Sequence, residues 1–140
     1  MAENEITREG GCLCGAVRFS ALGAPLWVAH CHCTSCRKTT AAAFATYAGY
    51  RPEAVTWSGE AARIHNSSPG VERGFCPHCG SSLFYASERW PDETHLLAGT
   101  FDAPEDLEPG AHVFVAERLP WVHLADGLPE FATTSPEHEG

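Results

Sequence analysis

The stretch FCPHCG, residues 75–80, decides the fold because it holds two cysteines at a metal-binding spacing. Two intervening residues let the sulfurs of Cys76 and Cys79 reach one metal ion at about 2.3 Å. Gly80 permits a tight turn directly after the pair, so that backbone N–H groups point at the sulfurs. Such zinc knuckles bind metal in pairs, and we therefore expect a second short-spaced cysteine pair elsewhere in the chain.

The chain has seven cysteines, and they fall into three groups. The groups are the pair Cys12 and Cys14, the triplet Cys31, Cys33 and Cys36, and the pair Cys76 and Cys79. The N-terminus lacks the basic start and the apolar stretch of a secretory signal, which predicts a cytoplasmic protein. An odd number of cysteines in a reducing compartment disfavours disulfides and favours metal binding or catalysis.

Two ways of pairing these groups are open. If the pair at residues 12 and 14 joins the pair at 76 and 79, four thiolates form a closed structural site. The triplet is then a second metal centre with one exchangeable position, as in catalytic zinc sites. The alternative joins Cys33 and Cys36 to the knuckle and leaves three cysteines without a role, so the spacing favours the first arrangement.

The fourth ligand of the triplet decides whether that centre is open. His30 and His32 alternate with the cysteines, so in an extended segment they point away from the face that carries Cys31 and Cys33. A remote histidine such as His65, His95 or His123 remains an alternative ligand. Three thiolates suit Zn(II), and also Cu(I) or Fe(II), and zinc is the expected metal because it is available and redox-silent.

Length and charge narrow the classes of function. The 140 residues fit one domain, placed at residues 10–131 between a flexible N-terminus (1–9) and a flexible tail (132–140). The net charge of -9 argues against nucleic-acid binding, which needs clustered Lys and Arg. No apolar run approaches the roughly 20 residues that cross a membrane. Exposed strand edges in a small β protein leave room for a homodimer.

Short strands dominate the predicted secondary structure, because Gly and Pro interrupt the chain and no segment keeps a helical period. The predicted strands are 16–21, 26–30, 44–50, 55–58, 62–65, 83–86, 95–100 and 112–116. Helical turns are predicted within 34–43 and at 104–107. The expected class is mostly β, built from small sheets.

Four blocks resemble the glutathione-dependent formaldehyde-activating enzyme (GFA) family, which also includes centromere protein V. The blocks are GGCLCGAVRF (10–19), HCHCTSCRKTTAAAF (30–44), FCPHCGSSLF (75–84) and HVFVAERLPWVHLADGLPEF (112–131). The resemblance implies a β-tent fold of small antiparallel sheets with two zinc ions. By match to the family motif, Cys12, Cys14, Cys76 and Cys79 would hold the structural zinc. Cys31, Cys33 and Cys36 would hold the catalytic zinc.

The resemblance also implies an activity, the formation or cleavage of S-(hydroxymethyl)glutathione by a carbon–sulfur lyase. Arg37 and Lys38, just after the triplet, are candidates to bind the carboxylates of a thiol such as glutathione. The alternative function is a non-catalytic two-zinc module that binds a protein partner or a thiol without turnover. An internal fourth ligand at the triplet would favour that alternative.

One position departs from the family pattern. Members commonly have a glycine five residues after the last cysteine of the triplet, and this chain has Ala41 there. If that glycine serves the close approach of a ligand backbone, a β-carbon at this position narrows the pocket or alters the substrate.

Overall fold

The computed structural model describes residues 5–135, which form ten strands, one α-helix and several short 3-10 turns. The elements are β1 Thr7–Gly11, β2 Val17–Leu22, β3 Trp27–Cys31, α1 Thr34–Thr40, β4 Ala45–Tyr50, β5 Val55–Gly59, β6 Arg63–Ser68, β7 Val71–Phe75, β8 Ser82–Ser87, β9 Thr94–Leu97 and β10 Ala111–Val113. Within these residues, no helix is long and apolar enough to cross a membrane. The mostly β class predicted from the sequence is confirmed.

The strands form two sheets. The smaller has the antiparallel order β1-β2-β5, and the larger has the order β10-β3-β4-β9-β8-β7-β6. Neighbours in the larger sheet are antiparallel except at one edge, where β10 runs parallel to β3. That edge pair differs from the expected purely antiparallel arrangement, because the long connection from β9 returns the chain to β3 in the same direction.

One face of the larger sheet packs against the smaller sheet and forms the main core. The register places Val28 opposite Ala48 and Ala48 opposite Leu96, so their side chains share one face. Phe19 and Val55 of the smaller sheet pack on this face, and all five side chains are buried. The free energy of burying apolar groups therefore holds the two sheets together.

The other face of the larger sheet is the one that carries Cys31. Cys31 lies opposite Ala45, and Tyr47 lies between Ala29 and Leu97 on the same face. Further along this face, the Trp27 ring lies directly over Gly49, where a Cβ would come within 2.4 Å of the indole. Gly49 is thus required for the ring to lie flat on the sheet.

Several boundaries differ from the sequence prediction. Residues 7–9 pair in β1, where a loose segment was expected, and residues 132 and 133 accept backbone hydrogen bonds within the predicted tail. Strand β7 was not predicted at all, because VERGF mixes charge and glycine with its apolar residues. Residues 98–100 and 115–117 form 3-10 turns at the ends of two predicted strands. The predicted ends at 1–4 and 136–140 lie outside the described residues.

Helix α1 ends in a left-handed residue. Ala41 has φ 55° and ψ 36°, and its N–H donates to the Arg37 carbonyl. Helices commonly end in this conformation, and glycine is preferred there because it lacks the β-carbon that clashes. A glycine at this position would thus serve the helix end, and not the close approach of a ligand backbone that was considered from the sequence. Ala41 is itself exposed.

The variant Ala41→Gly should raise the free energy of unfolding by about 1 kcal/mol, because it relieves the left-handed strain of an alanine. Urea denaturation of the variant and of the parent measures the difference. The matched control is Ala42→Gly, since Ala42 is also exposed but has no positive φ. That control should leave stability unchanged or lower it, and equal gains at both positions would contradict the strain argument.

Candidate metal centres and ligand cavity

Four cysteines meet where two turns of the chain come together. The β1–β2 turn brings Cys12 and Cys14, and the β7–β8 turn brings Cys76 and Cys79. The Cys12 and Cys14 sulfurs are 3.6 Å apart, and those of Cys14 and Cys76 are 3.8 Å apart. Zinc–sulfur bonds of 2.3 Å in a tetrahedron require sulfurs about 3.8 Å apart. The donor type, number and spacing therefore fit one zinc ion.

Backbone and hydroxyl groups surround these sulfurs as metal-bound thiolates require. The Val17 N–H donates to the Cys12 sulfur at 3.3 Å, and the Cys79 N–H donates to the Cys76 sulfur at 3.4 Å. The hydroxyl and backbone of Ser81 hydrogen-bond to Cys79 and lower the pKa of its thiol to about 5. Hydrogen bonds to the charged form favour thiolates, which are the forms that bind metal.

The other three cysteines meet at the junction of β3 and α1. Cys31 ends the strand, Cys33 is the N-cap of the helix and Cys36 lies in its first turn. The Cys33 and Cys36 sulfurs are 2.8 Å apart, and those of Cys36 and Cys31 are 3.4 Å apart. Hydrogen bonds with the Cys31 and Cys36 thiols lower the pKa of Cys33 to about 3. The seven cysteines are therefore grouped as four and three, and the knuckle does not include Cys33 or Cys36.

No fourth His, Cys, Asp or Glu side chain joins the triplet within residues 5–135. His30 and His32 point to the opposite face, as the alternation predicted, and each has partners there. His30 Nδ1 is hydrogen-bonded to the Thr46 hydroxyl at 2.7 Å, and His32 Nε2 to His112 Nδ1 at 2.9 Å. His112 Nε2 in turn meets Asp126 at 2.7 Å. This histidine cluster thus links β3, β4 and β10 through hydrogen bonds, and His30, His112 and Asp126 also bring one potential ligand atom each within 4.8 Å of one another.

The triplet opens on a cavity of about 760 Å³, within the size range of sites for small organic ligands. A row of stacked groups lines it, with a guanidinium at each end. Arg73 lies over the Tyr85 ring at 4.9 Å, and Arg89 lies over the Trp90 ring at 4.8 Å. Between these pairs, the His95 ring lies 5.3 Å from Tyr85 and 5.5 Å from Trp90.

Arg73 and Arg89, at the two ends of this row, differ in their hydrogen bonds and in their exposure. Arg73 Nε donates to the Ser67 hydroxyl at 3.1 Å, and its positive charge contributes to the lowered pKa of Cys33. Arg73 is therefore the cation that acts on the cysteine triplet. Arg89 is exposed at the rim of the cavity.

The basic pair predicted from the sequence to bind substrate lies elsewhere. Arg37 donates from Nε to the His32 carbonyl at 3.4 Å and from Nη2 to the Glu117 carbonyl at 3.4 Å. Lys38 is exposed, and neither side chain lines the cavity beside the triplet. Arg37 therefore joins α1 to the turn at Glu117, and the structure does not bring the pair to the ligand cavity.

Tyr47 brings an unpaired hydroxyl to the triplet. Its ring packs with Cys31 and Cys36, and its oxygen is buried without a hydrogen bond to the described residues. Burial raises the pKa of the phenol well above its usual range, and the interaction of the hydroxyl with the Cys36 sulfur raises it further. The phenol therefore stays protonated, and a thiolate at Cys36 would give it an acceptor.

Sequence reasoning missed the cavity side chains Arg73, Arg89 and Trp90. They are single charged or aromatic residues without a motif, on an unpredicted strand and on the connection between β8 and β9. The available signal was the presence of Arg73 just before the knuckle and of Arg89 and Trp90 in the segment after it, and it is weak.

Comparison with known proteins identifies the family. The family model described as glutathione-dependent formaldehyde-activating enzyme matches residues 7–117. A Halomonas elongata protein named "Putative glutathione-dependent formaldehyde-activating enzyme" is 33% identical, over 83% of this chain and 80% of that protein. An uncharacterized lyase of Schizosaccharomyces pombe is 27% identical, over 79% of this chain and 80% of its own length.

A solved structure supports the fold independently. The crystal structure of a Rhodobacter sphaeroides protein matches with a TM-score of 0.57 at 19% identity, covering 88% of this chain and 98% of that one. At that identity the likeness concerns the fold alone. The family model and the Halomonas elongata relative lead to one conclusion: the chain belongs to the glutathione-dependent formaldehyde-activating enzyme family.

Proposed function

We propose that the protein is a zinc-dependent carbon–sulfur lyase that forms or cleaves S-(hydroxymethyl)glutathione. The family and the names of the relatives support a glutathione-related lyase role. The observation that carries the proposal is the three-sulfur cluster, which has no fourth ligand among residues 5–135 and opens on the cavity. A non-catalytic module that binds only a protein partner would need neither the open position nor the cavity, and a module that binds a thiol without turnover is distinguished from the lyase by the exchange measurement described below.

Two zinc ions per chain are part of the proposal. Cys12, Cys14, Cys76 and Cys79 would hold a structural ion, because four thiolates leave no open position. Cys31, Cys33 and Cys36 would hold the second ion. When bound, that zinc supplies a position at which an incoming thiol is kept as its thiolate.

The arginines of the cavity are better placed than Arg37 and Lys38 to bind glutathione. Glutathione has two carboxylates at opposite ends of an extended molecule. The aromatic row has one guanidinium near the triplet, on Arg73, and another at the cavity rim, on Arg89. Guanidinium–carboxylate hydrogen bonds are charge-assisted and geometrically specific. We therefore assign the carboxylates to Arg73 and Arg89.

The reaction needs no covalent nucleophile from the chain. The glutathione sulfur adds to the formaldehyde carbon, the C–S bond forms, and the electron pair of the C=O π bond moves to oxygen. That oxygen takes up a proton equivalent to the one released by the thiol, and cleavage is the reverse. The residues of the cavity orient the thiol by its carboxylates, which lowers the entropic part of the barrier. We place this reaction in the cytoplasm, where thiols stay reduced.

The zinc-loaded protein should accelerate the exchange between glutathione, formaldehyde and their adduct, measured by two-dimensional exchange NMR. Cys33→Ser removes one ligand of the open site and should abolish the acceleration. Exchange no faster with the wild-type protein than with buffer would overturn the proposed reaction.

The carboxylate assignment predicts that Arg73→Gln raises the KM for glutathione about 10-fold, because a charge-assisted hydrogen bond contributes roughly 1.5–3 kcal/mol. The matched control is Lys38→Gln, which removes the same charge outside the cavity. KM values from initial exchange rates should change for Arg73→Gln and stay within twofold for Lys38→Gln. The opposite pattern would restore the assignment made from the sequence.

The two proposed metal sites should differ in what they stabilise. Cys76→Ser should lower the Tm by about 10 °C or more, because metal binding at a closed site contributes directly to folding. Cys33→Ser should lower the zinc content by about as much as Cys76→Ser does. It should change the Tm by only a few degrees. Thermal unfolding and elemental analysis of both variants provide the comparison, and equal losses of Tm would contradict the division into structural and open sites.

A further inference from the structure

Phe114 has a backbone conformation that is rare for a bulky residue. Its φ is 56° and its ψ is 37°, in the left-handed region. Among residues 5–135 it shares a positive φ with only one other non-glycine residue, Ala41. Phe114 is partly buried, whereas Ala41 is exposed. Such a conformation costs about 1–3 kcal/mol and persists only where the surroundings enforce it.

Backbone hydrogen bonds on both sides enforce this conformation. The Phe114 N–H donates to the Thr133 carbonyl at 2.9 Å, and the Phe114 carbonyl accepts from Glu117 N–H at 3.0 Å. The next residue donates to the Phe131 carbonyl at 3.1 Å. The segment at 129–133 therefore clamps the chain at Phe114 and fixes the backbone from which its ring projects.

The ring is placed next to the reacting centre. Phe114 and Val113 pack against the cluster that contains Cys31 and Cys36, and both line the cavity. Phe131 lines the same cavity from the clamping segment. Val113 and Phe114 lie beside the triplet, and together with Phe131 they are called the apolar wall of the cavity. Their side chains carry no group that can bind a carboxylate, an ammonium or a hydroxyl.

Formaldehyde has no side chain that could contact this apolar wall. In S-(hydroxymethyl)glutathione the reacting carbon bears two hydrogens, a hydroxyl and the sulfur. Arg73 and Arg89 are assigned to the two carboxylates of glutathione along the aromatic row, so the apolar wall is left for a substituent on the carbon that reacts. Each methylene buried there contributes about 0.8 kcal/mol, or roughly fourfold in binding.

We propose that the apolar wall of Val113, Phe114 and Phe131 binds the side chain of an aldehyde larger than formaldehyde, so that the preferred substrates are glutathione adducts of apolar aldehydes. The inference rests on the proposed function and extends its substrate class. The balance of the reaction is unchanged: the thiol sulfur adds to the aldehyde carbon, and the carbonyl oxygen becomes the hydroxyl of the adduct.

The test compares aldehydes on the zinc-loaded wild-type protein. Exchange NMR gives the acceleration over buffer for glutathione with formaldehyde, with butanal and with phenylacetaldehyde. The acceleration divided by enzyme concentration should be at least about 10-fold larger for butanal and phenylacetaldehyde than for formaldehyde, because their additional carbon atoms are buried against the wall. Acceleration that is largest with formaldehyde would overturn the substrate class and leave the proposed lyase function standing. No acceleration with any aldehyde would overturn both.

Single-residue variants test whether Phe114 contacts the side chain of the aldehyde. Phe114→Ala should lower the acceleration with phenylacetaldehyde about 10-fold more than it lowers the acceleration with formaldehyde. The control is Trp121→Ala, an exposed aromatic in the same part of the chain and outside the cavity lining, which should change neither. An equal loss with every aldehyde in Phe114→Ala would show that the ring serves glutathione or the fold, and would contradict the proposal. Thermal unfolding of both variants identifies any loss of folded protein.

Discussion

The convergence of four cysteine sulfurs from two distant turns is the constraint on which the rest of the structure depends. Cys14 and Cys76 are 62 residues apart in sequence, and their sulfurs are 3.8 Å apart. The turn that carries the first pair belongs to the smaller sheet, and the turn that carries the second belongs to the larger sheet. A metal held there would fix one sheet against the other at a single point. The apolar core between the sheets, with Phe19 and Leu96 at its centre, then needs to supply less of the stability.

Strand β3 shows how one short strand serves both stability and function. Side chains alternate between the two faces of this strand. Val28 points toward the core and His30 toward the histidine cluster, whereas Cys31 points toward the cavity. Because the side-chain period of a strand is two, a slip of one residue would exchange these faces. The hydrogen bonds from His32 through His112 to Asp126 oppose such a slip, since they join the chain just after β3 to β10 and to the C-terminal segment.

The sequence predicted what depends on local spacing, and missed what depends on long-range register. The cysteine groups and the orientation of His30 and His32 follow from spacing and from the period of a strand. The cavity cations do not, because Arg73 reaches the triplet only through the pairing of β7 with β8 and of β8 with β9. The left-handed residues Ala41 and Phe114 were also unpredictable, since neither residue type favours that conformation and tertiary hydrogen bonds impose it at Phe114.

The central claim is that one metal site is closed and the other is open to a thiol. X-ray absorption at the zinc edge of the zinc-loaded protein tests it most directly. The seven cysteine sulfurs should be shared by two ions, with a lighter atom completing the coordination of one of them. Saturating glutathione should remove the lighter-atom contribution and leave an all-sulfur spectrum. A histidine contribution that persists in the presence of glutathione would contradict the open site, and with it the proposed lyase.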